Sequence, residues 1–169
     1  MRTIPPRKIQ SEDKTDRFDC RNAILNGYLK NHALKNQEQK NSSTYVTCID
    51  GQVVGYYTIT LASILYKNAP KAVQKGHSSR FPIPALLLAC LGVNYDLQKQ
   101  GIGQGLMKDA FKRAVLIAEQ AGCRALLIYA ADQKAKDWYM QFGPEQSPVD
   151  DMHLLIPIAT IEDAMKKQV

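Results

Sequence analysis

A glycine-bearing segment separates an apolar run from an amphipathic run, and it reads Gln98-Lys99-Gln100-Gly101-Ile102-Gly103. This order predicts a strand, a tight turn and the N-terminus of a helix. Such a junction points several backbone N–H groups at one spot and adds the positive end of a helix dipole, so it suits a pyrophosphate. The spacing, Gln-x-x-Gly-x-Gly, is neither the dinucleotide-binding nor the Walker pattern. A turn of the same shape without a ligand is the alternative.

The bulk composition fits a single domain over residues 1–169. The chain has 169 residues, of which 45% are apolar and 22% charged, and this is enough for a sizeable core. No apolar run reaches the roughly 20 residues that a membrane-spanning helix needs. The basic N-terminal segment lacks the apolar stretch of a secretory signal. We therefore expect a cytoplasmic protein that does not bind a membrane.

Positive charge is concentrated in the segment that precedes the longest apolar run. The formal net charge is +6, which favours a polyanionic partner. Between Tyr66 and Phe81 the chain has no acidic residue, and its basic residues there are Lys67, Lys71, Lys75 and Arg80. We expect this basic connector to contact phosphates, with a merely solvated basic surface as the alternative.

The cysteines indicate neither a metal site nor a disulfide. The chain has four of them, Cys20, Cys48, Cys90 and Cys123. None forms a Cys-x-x-Cys pair, and no histidine lies at metal-ligand spacing from them. We therefore expect reduced thiols and no metal.

Hydrophobic periodicity and turn residues predict a mixed succession of helices and strands. In order, the predicted elements are a helix over 21–32, a hairpin over 44–61, a strand over 85–96, the glycine-bearing turn, a helix over 104–121, a strand over 124–130, a short helix ending at 142, a strand over 152–157 and a C-terminal helix. We expect Asp19 and Thr160 to cap the first and last helices, and Asp50-Gly51 to form a type I′ turn. Pro82 and Pro84 should stay outside the sheet, because proline has no N–H. The order indicates a mixed α/β class.

An aromatic segment lies on the predicted short helix: Trp138-Tyr139-Met140-Gln141-Phe142-Gly143. Together with the Gln-x-x-Gly-x-Gly turn, it resembles the Gcn5-related N-acetyltransferases (GNAT), which carry a Phe/Trp-Tyr-x-x-Phe-Gly-Phe segment there. The resemblance implies a central, mostly antiparallel sheet flanked by helices, with a splayed strand pair that holds acetyl-CoA. It also implies that the Tyr139 hydroxyl protonates the departing thiolate as general acid. Pro144 stands where an aromatic is common, which leaves acceptor selection open.

The same resemblance implies which residues bind acetyl-CoA. Main-chain groups of Leu91 and Val93 would hold the pantetheine arm and polarise the thioester carbonyl. Gln133 and Trp138 would line the cofactor groove. The amides that would hold the pyrophosphate belong to Gln98, Lys99, Gln100, Gly101, Ile102, Gly103 and Gln104.

Segments spread over residues 9–160 resemble a narrower group, the acetyltransferase toxins of bacterial toxin–antitoxin operons. They include Phe18-Asp19-Cys20, Phe81-Pro82-Ile83-Pro84-Ala85 and the loop Ser147-Pro148-Val149-Asp150-Asp151-Met152. This resemblance implies transfer of acetyl to the α-amino group of an aminoacyl-tRNA, which blocks translation. It also implies a cognate ribbon-helix-helix antitoxin and a homodimer. At Arg21 the chain departs from the usual Asp-Cys-Gly.

Two other functions stay open from the sequence. An N-acetyltransferase acting on a small-molecule amine or a protein amine would use the same cofactor chemistry. A non-catalytic nucleic-acid-binding or regulatory protein is the third reading, although the turn and Tyr139 argue against it. No general base stands out among Glu38, Asp96 and Glu145. A bound water could serve instead, because the α-amine of an aminoacyl ester loses its proton more readily than lysine does.

Overall fold

The computed structural model describes residues 3–167. The strands are β1 (Arg7–Lys8), β2 (Ser43–Ile49), β3 (Gln52–Ile64), β4 (Ile83–Val93), β5 (Ala125–Tyr129), β6 (Glu145–Gln146) and β7 (His153–Pro157). The α-helices are α1 (Ala23–Asn31), α2 (Ala33–Glu38), α3 (Lys71–Gln74), α4 (Ile102–Ala121), α5 (Gln133–Met140) and α6 (Ile158–Lys166). Short 3-10 turns cover Tyr66–Asn68 and Tyr95–Leu97.

Within the described residues the strands form one seven-stranded sheet in the order β1-β2-β3-β4-β5-β7-β6. The β1–β2, β2–β3, β5–β7 and β6–β7 pairs are antiparallel. The β4–β5 pair is parallel, with a register that runs from Ala85 opposite Ala125 to Leu88 opposite Ile128. Parallel neighbours need a crossover, and α4 lies in the connection between these two strands. The expected mixed α/β class, with a mostly antiparallel sheet flanked by helices, is confirmed.

The described residues divide into two compact units. The first contains the chain up to Thr60 together with Ala89–Ala110, and the second contains Leu61–Leu88 and the chain from Phe111 onward. Core residues of the first unit include Ile9, Phe18, Leu29, Val46 and Tyr56. Core residues of the second unit include Ile64, Ile83, Ala125, Leu127 and Leu155.

The hairpin of β2 and β3 forms as its turn residues predict. Asp50 and Gly51 have φ angles of 50° and 78°, and positive values at both central residues define the type I′ turn. The register shifts once, between Thr47 and Cys48. β3 extends to Ile64, which is three residues beyond the predicted hairpin.

Asn22, not Asp19, caps the first helix. The Asn22 side chain accepts hydrogen bonds from the N–H groups of Ile24 and Leu25 at 3.0 and 3.1 Å. The Asp19 carboxylate instead accepts from the N–H of Arg21 at 2.8 Å. Asp19 was the wrong choice because a local turn before the helix already uses its side chain.

The ends of β4 and the start of α6 also differ from expectation. β4 includes Pro84, whose carbonyl accepts from the N–H of Arg124 at 2.9 Å. The expectation that Pro84 lies outside the sheet was wrong, because the missing N–H does not prevent its carbonyl from pairing. The strand ends at Val93, three residues before the predicted end. α6 begins at Ile158 after Pro157, so Thr160 lies inside the helix and does not cap it.

In the first unit, β3 holds the first turns of α4 at close range. A Cβ on Gly55 would lie 3.1 Å from Cγ2 of Ile102 and 3.2 Å from Cδ1 of Leu106. Two residues further along β3, the Tyr57 hydroxyl donates to Oδ2 of Asp109 at 2.5 Å. Glycine at position 55 therefore sets how closely the helix approaches the strand.

Gly55→Ala is expected to lower the free energy of unfolding by about 1–3 kcal/mol, because an added methyl overpacks this contact. Gly105→Ala is the matched control. Gly105 lies inside α4 with open space around an added Cβ, so alanine should raise stability by about 0.5–1 kcal/mol through helix propensity. Urea unfolding monitored by circular dichroism measures both changes. A Gly55→Ala protein as stable as Gly105→Ala would contradict the close packing.

Candidate active site

The glycine-bearing turn follows the end of β4 in the first unit. After Val93 the chain makes the 3-10 turn Tyr95–Leu97 and then reaches Gln98. Lys99 and Gly101 have φ angles of 64° and 90°, so the backbone takes left-handed steps on both sides of Gln100. These steps turn the chain sharply into α4, which begins at Ile102, two residues earlier than predicted. No atom lies within 4 Å of a Cβ placed on Gly101, apart from its chain neighbours, so this face of the turn is open.

The side chain of Gln98 braces the turn. Its Nε2 donates to the carbonyl oxygen of Val93 at 3.0 Å, which joins the turn to the end of β4. Gln100 makes a longer contact, from Nε2 to the carbonyl oxygen of Asp96 at 3.5 Å. The glutamine that begins the Gln-x-x-Gly-x-Gly spacing therefore shapes the turn through its side chain.

The last residues of β4 are packed tightly on one side. A Cβ on Gly92 would lie 3.3 Å from Sγ of Cys20 and 3.4 Å from the rings of Phe18 and Tyr56. Ala89, earlier in the same strand, is exposed, and Leu91 is partly buried. One face of the backbone at Gly92 therefore packs directly against the core. A larger side chain at this position would displace Leu91 and its neighbours.

The thiols of Cys90, on β4, and of Cys20, packed against it, are poor nucleophiles. Burial raises the pKa of Cys90 to about 11, and burial also raises the pKa of Cys20. Both thiols therefore keep their protons at neutral pH. This favours direct acetyl transfer over an acetyl-cysteine intermediate at either residue.

Tyr139, Trp138 and Gln133 lie on α5 in the second unit. Asp132 caps this helix by accepting from the N–H of Ala135 at 2.8 Å. Tyr139 is only 9% exposed, and its ring packs edge-on to Trp138 with centroids 5.2 Å apart. The Gln133 amide donates to the carboxylate of Asp137 at 2.7 Å.

The aromatic packing continues beyond the end of α5 at Met140. The Trp138 ring is edge-on to Phe142 at 5.2 Å, and Phe142 is edge-on to Phe111 of α4 at 5.8 Å. The predicted helix end at 142 was wrong, because α5 ends at Met140 and residues 141–142 form a turn that follows it. Gly143, with a φ of 73°, ends this turn in the left-handed conformation that glycine adopts easily. Pro144 follows and is buried.

Lys136 is a buried charged residue near Tyr139 that the sequence analysis did not anticipate. It is 7% exposed and lies one helical turn before Tyr139, which is also buried. Its Nζ lies 3.8 Å from Oδ2 of Asp151, in the loop after Gln146. A buried lysine needs a partner, and the acidic pair Asp150-Asp151 three residues after Ser147 was the signal that could have suggested one.

The basic connector is an ordered part of the second unit. Lys67, Lys71, Lys75 and Arg80 are all exposed. The backbone between them is anchored: the Ser147 hydroxyl donates to the carbonyl of Asn68 at 2.6 Å, and Arg124 donates to the carbonyls of Val73 and Lys75. Val73 itself is buried in the core of the second unit. The connector therefore presents its cations from a fixed backbone.

Residues 3–167 contain neither a candidate metal site nor a helix that could span a membrane. Their His, Cys, Asp and Glu side chains include no group of three or more that could hold a metal ion. In the same residues, no helix has the length and apolar character to cross a membrane.

Comparison with known proteins identifies the family. The acetyltransferase (GNAT) family model matches residues 7–143. A tRNA-acetylating toxin of Mycobacterium tuberculosis is 36% identical over 151 residues, which cover 89% of this chain and 90% of that protein. The chain therefore belongs to the GNAT acetyltransferase family. It is an acetyl-CoA-dependent N-acetyltransferase, which confirms the expected enzyme class and co-substrate.

Solved structures share this fold at low sequence identity. AtaT complexed with acetyl-methionyl-tRNAfMet matches with a TM-score of 0.89 and 24% identity, covering 97% of this chain and 99% of that chain. A tyrosine-to-phenylalanine mutant of AtaT, bound to the C-terminus of the antitoxin AtaR and acetyl-CoA, matches with a TM-score of 0.82 and 22% identity. That match covers 96% of this chain and 98% of the AtaT chain.

Gln98→Met is expected to weaken acetyl-CoA binding roughly fivefold, because losing the brace to the Val93 carbonyl costs about one hydrogen bond. Gln100→Met is the matched control, since its side-chain contact is 3.5 Å long and its loss should change the Kd less than twofold. Isothermal titration calorimetry with acetyl-CoA measures both. Equal effects of the two substitutions would contradict the bracing role.

Proposed function

We propose that this chain is a toxin-type N-acetyltransferase that moves the acetyl group of acetyl-CoA to the α-amino group of an aminoacyl-tRNA and so blocks translation. The observation that carries the proposal is the anchored connector, which presents Lys67, Lys71, Lys75 and Arg80 with no acidic residue in its sequence. Such a surface suits a polyanionic acceptor. The 36% identity to a tRNA-acetylating toxin supports the same acceptor.

In this proposal the turn and the end of β4 bind acetyl-CoA, which supplies the activated acetyl group. The backbone N–H groups from Gln98 to Gln104 hold the pyrophosphate, and Lys99 adds a positive charge beside them. Main-chain groups of Leu91 and Val93 hold the pantetheine arm and the thioester carbonyl. The open space over Gly101 and the tight support beneath Gly92 are the observations that fit this ligand.

Tyr139 is the proposed general acid, with Trp138 and Gln133 beside the cofactor. Its hydroxyl gives a proton to the sulfur of the departing coenzyme. Burial and edge-on packing against Trp138 restrict the ring, so the hydroxyl is held in few orientations. A restricted donor loses less entropy when it reaches the sulfur.

The acceptor amine gives up its proton without a buried carboxylate in this proposal. Glu38, Asp96 and Glu145, the carboxylates considered from the sequence, are all exposed on separate elements. An aminoacyl ester amine is partly neutral near neutral pH, so water can accept the proton that is released. This chemistry suits an aminoacyl ester better than a lysine side chain.

The domain organisation, the partners and the location are proposed from the resemblance to the acetyltransferase toxins. We infer that residues 1–169 act as one acetyltransferase domain, since the family match runs through residues of both units. A homodimer and a cognate antitoxin with a ribbon-helix-helix domain are the expected partners. AtaT bound to the C-terminus of the antitoxin AtaR supports the second of these. The cytoplasm, where aminoacyl-tRNA is found, is the proposed location.

Tyr139→Phe is expected to lower kcat for acetylation of aminoacyl-tRNA by roughly 10²–10⁴-fold while leaving the Kd for acetyl-CoA nearly unchanged. The assay follows labelled acetyl from acetyl-CoA into a pool of charged tRNA, with uncharged tRNA as blank. Tyr129→Phe removes a hydroxyl from an exposed tyrosine of the same unit and is the control. Label that appears only in small amines or proteins would contradict the proposed acceptor.

Reversing two connector charges, Lys71→Glu with Lys75→Glu, is expected to weaken tRNA binding and to reduce the slope of log Kd against log salt by about 2. Acetyl-CoA binding should not change. Lys108→Glu with Lys112→Glu, on exposed positions of α4, makes the same change in net charge elsewhere. Filter binding at several salt concentrations measures the slope, and equal effects of the two pairs would refute a specific role for the connector.

A further inference from the structure

Arg21 occupies a left-handed backbone position, with a φ of 64°. This conformation favours glycine because the Cβ of any other residue is crowded there. The turn is fixed by Asp19, whose Oδ1 accepts from the Arg21 N–H at 2.8 Å and from the Asn26 amide at 3.0 Å. Glycine would form the same turn with less strain, so the turn itself does not require the Arg21 side chain.

That side chain lies over the ring of Tyr95. Its Cζ is 4.5 Å from the ring centroid, which is a cation–π arrangement. Tyr95 is 53% exposed, and the Arg21 side chain is 64% exposed. The pair therefore forms a stacked, positively charged and partly apolar surface that is open to solvent.

The Arg21–Tyr95 pair is fixed at the end of β4. The Asp19 N–H donates to Oδ1 of Asn94 at 2.9 Å, and the Tyr95 N–H donates to the carbonyl of Asp19 at 2.8 Å. Tyr95 is two residues beyond Val93, so their Cα atoms are within roughly 7 Å. The pair therefore borders the strand end to which the proposed function assigns the thioester.

Asp19 offsets much of the positive charge of this surface. Its Oδ2 lies 3.7 Å from Nη1 of Arg21. The hydrogen bond from the Arg21 N–H, with that from Asn26, holds the pKa of Asp19 below its ordinary value, so the carboxylate is ionised at neutral pH. A charge-balanced site attracts phosphate weakly, and its affinity must come from stacking. Unpaired RNA bases stack on aromatic rings and on arginine planes in this way.

We propose that Arg21 and Tyr95 form a stacking platform for an unpaired base at the acceptor end of the RNA substrate. The proposal rests on the proposed function, because an aminoacyl-tRNA carries its amino acid on a single-stranded 3′ end. The connector supplies affinity that depends on salt. The platform supplies affinity that is insensitive to salt and positions the 3′ end beside Val93. A protein or small-molecule amine has no base to place there.

Arg21→Gly and Tyr95→Ala test the platform. Each is expected to raise the KM for aminoacyl-tRNA roughly tenfold at both low and high salt, which is the size of one lost base stack. The Kd for acetyl-CoA should stay within twofold, and the melting temperature of Arg21→Gly should be no lower than that of the wild type. Tyr95→Phe keeps the ring and should behave as the wild type. Arg17→Gly removes an exposed arginine from the same segment and is the charge control.

Results that contradict the stacking platform can be distinguished from results that contradict the proposed function. An unchanged KM in both variants, with a wild type that acetylates aminoacyl-tRNA, overturns the platform and leaves the proposed function standing. A wild type that acetylates only other amines overturns both. Weaker acetyl-CoA binding in both variants would mean that the pair contacts the coenzyme. A smaller salt dependence of tRNA binding in Arg21→Gly would mean that Arg21 contacts a phosphate. Either result overturns the platform.

Discussion

The end of β4 is the constraint on which the first unit depends. A strand that stops inside a protein leaves backbone groups that need partners. Here the Val93 carbonyl accepts from the Gln98 side chain, the Asn94 N–H donates to the carbonyl of Val54, and the Tyr95 N–H donates to the carbonyl of Asp19. Three separate segments are thereby tied to one strand end. The glycine-bearing turn and the Arg21–Tyr95 pair take their positions from this arrangement.

The sequence correctly predicted features that depend only on residues adjacent in the chain. Asp50-Gly51 forms its type I′ turn because both residues tolerate positive φ. The sequence predicted Asp19 as the cap of α1 instead of Asn22. The Asp19 carboxylate is not available for capping, because it accepts hydrogen bonds from Arg21 and Asn26. Periodicity gives the approximate span of a helix, whereas a competing side-chain hydrogen bond decides its first residue.

Other features depend on contacts that are distant in sequence. Pro84 can lie in a strand because its carbonyl pairs with Arg124, forty residues further along the chain. The bracing role of Gln98 requires the carbonyl of Val93 to face the turn, which the Gln-x-x-Gly-x-Gly spacing does not reveal. The buried Lys136 likewise depends on Asp151. The spacing therefore located the candidate site, but the roles of individual side chains came from the tertiary structure.

The proposed RNA contacts of the connector and of the Arg21–Tyr95 pair rely on different physical interactions. The connector presents like charges from an anchored backbone, so its free energy of binding comes from released counterions and falls as salt rises. Arg21 is paired with Asp19 and stacked on Tyr95, so little of its charge is available to phosphate. The proposed substrate must first be attracted to the protein, and its 3′ end must then be positioned for reaction. These are separate tasks. Long-range charge serves the first, whereas the second requires short-range contacts whose geometry is set before the ligand arrives. In the proposed platform, the turn at Asp19 fixes the Arg21 backbone in its left-handed conformation, and the guanidinium stacks on Tyr95, two residues beyond Val93.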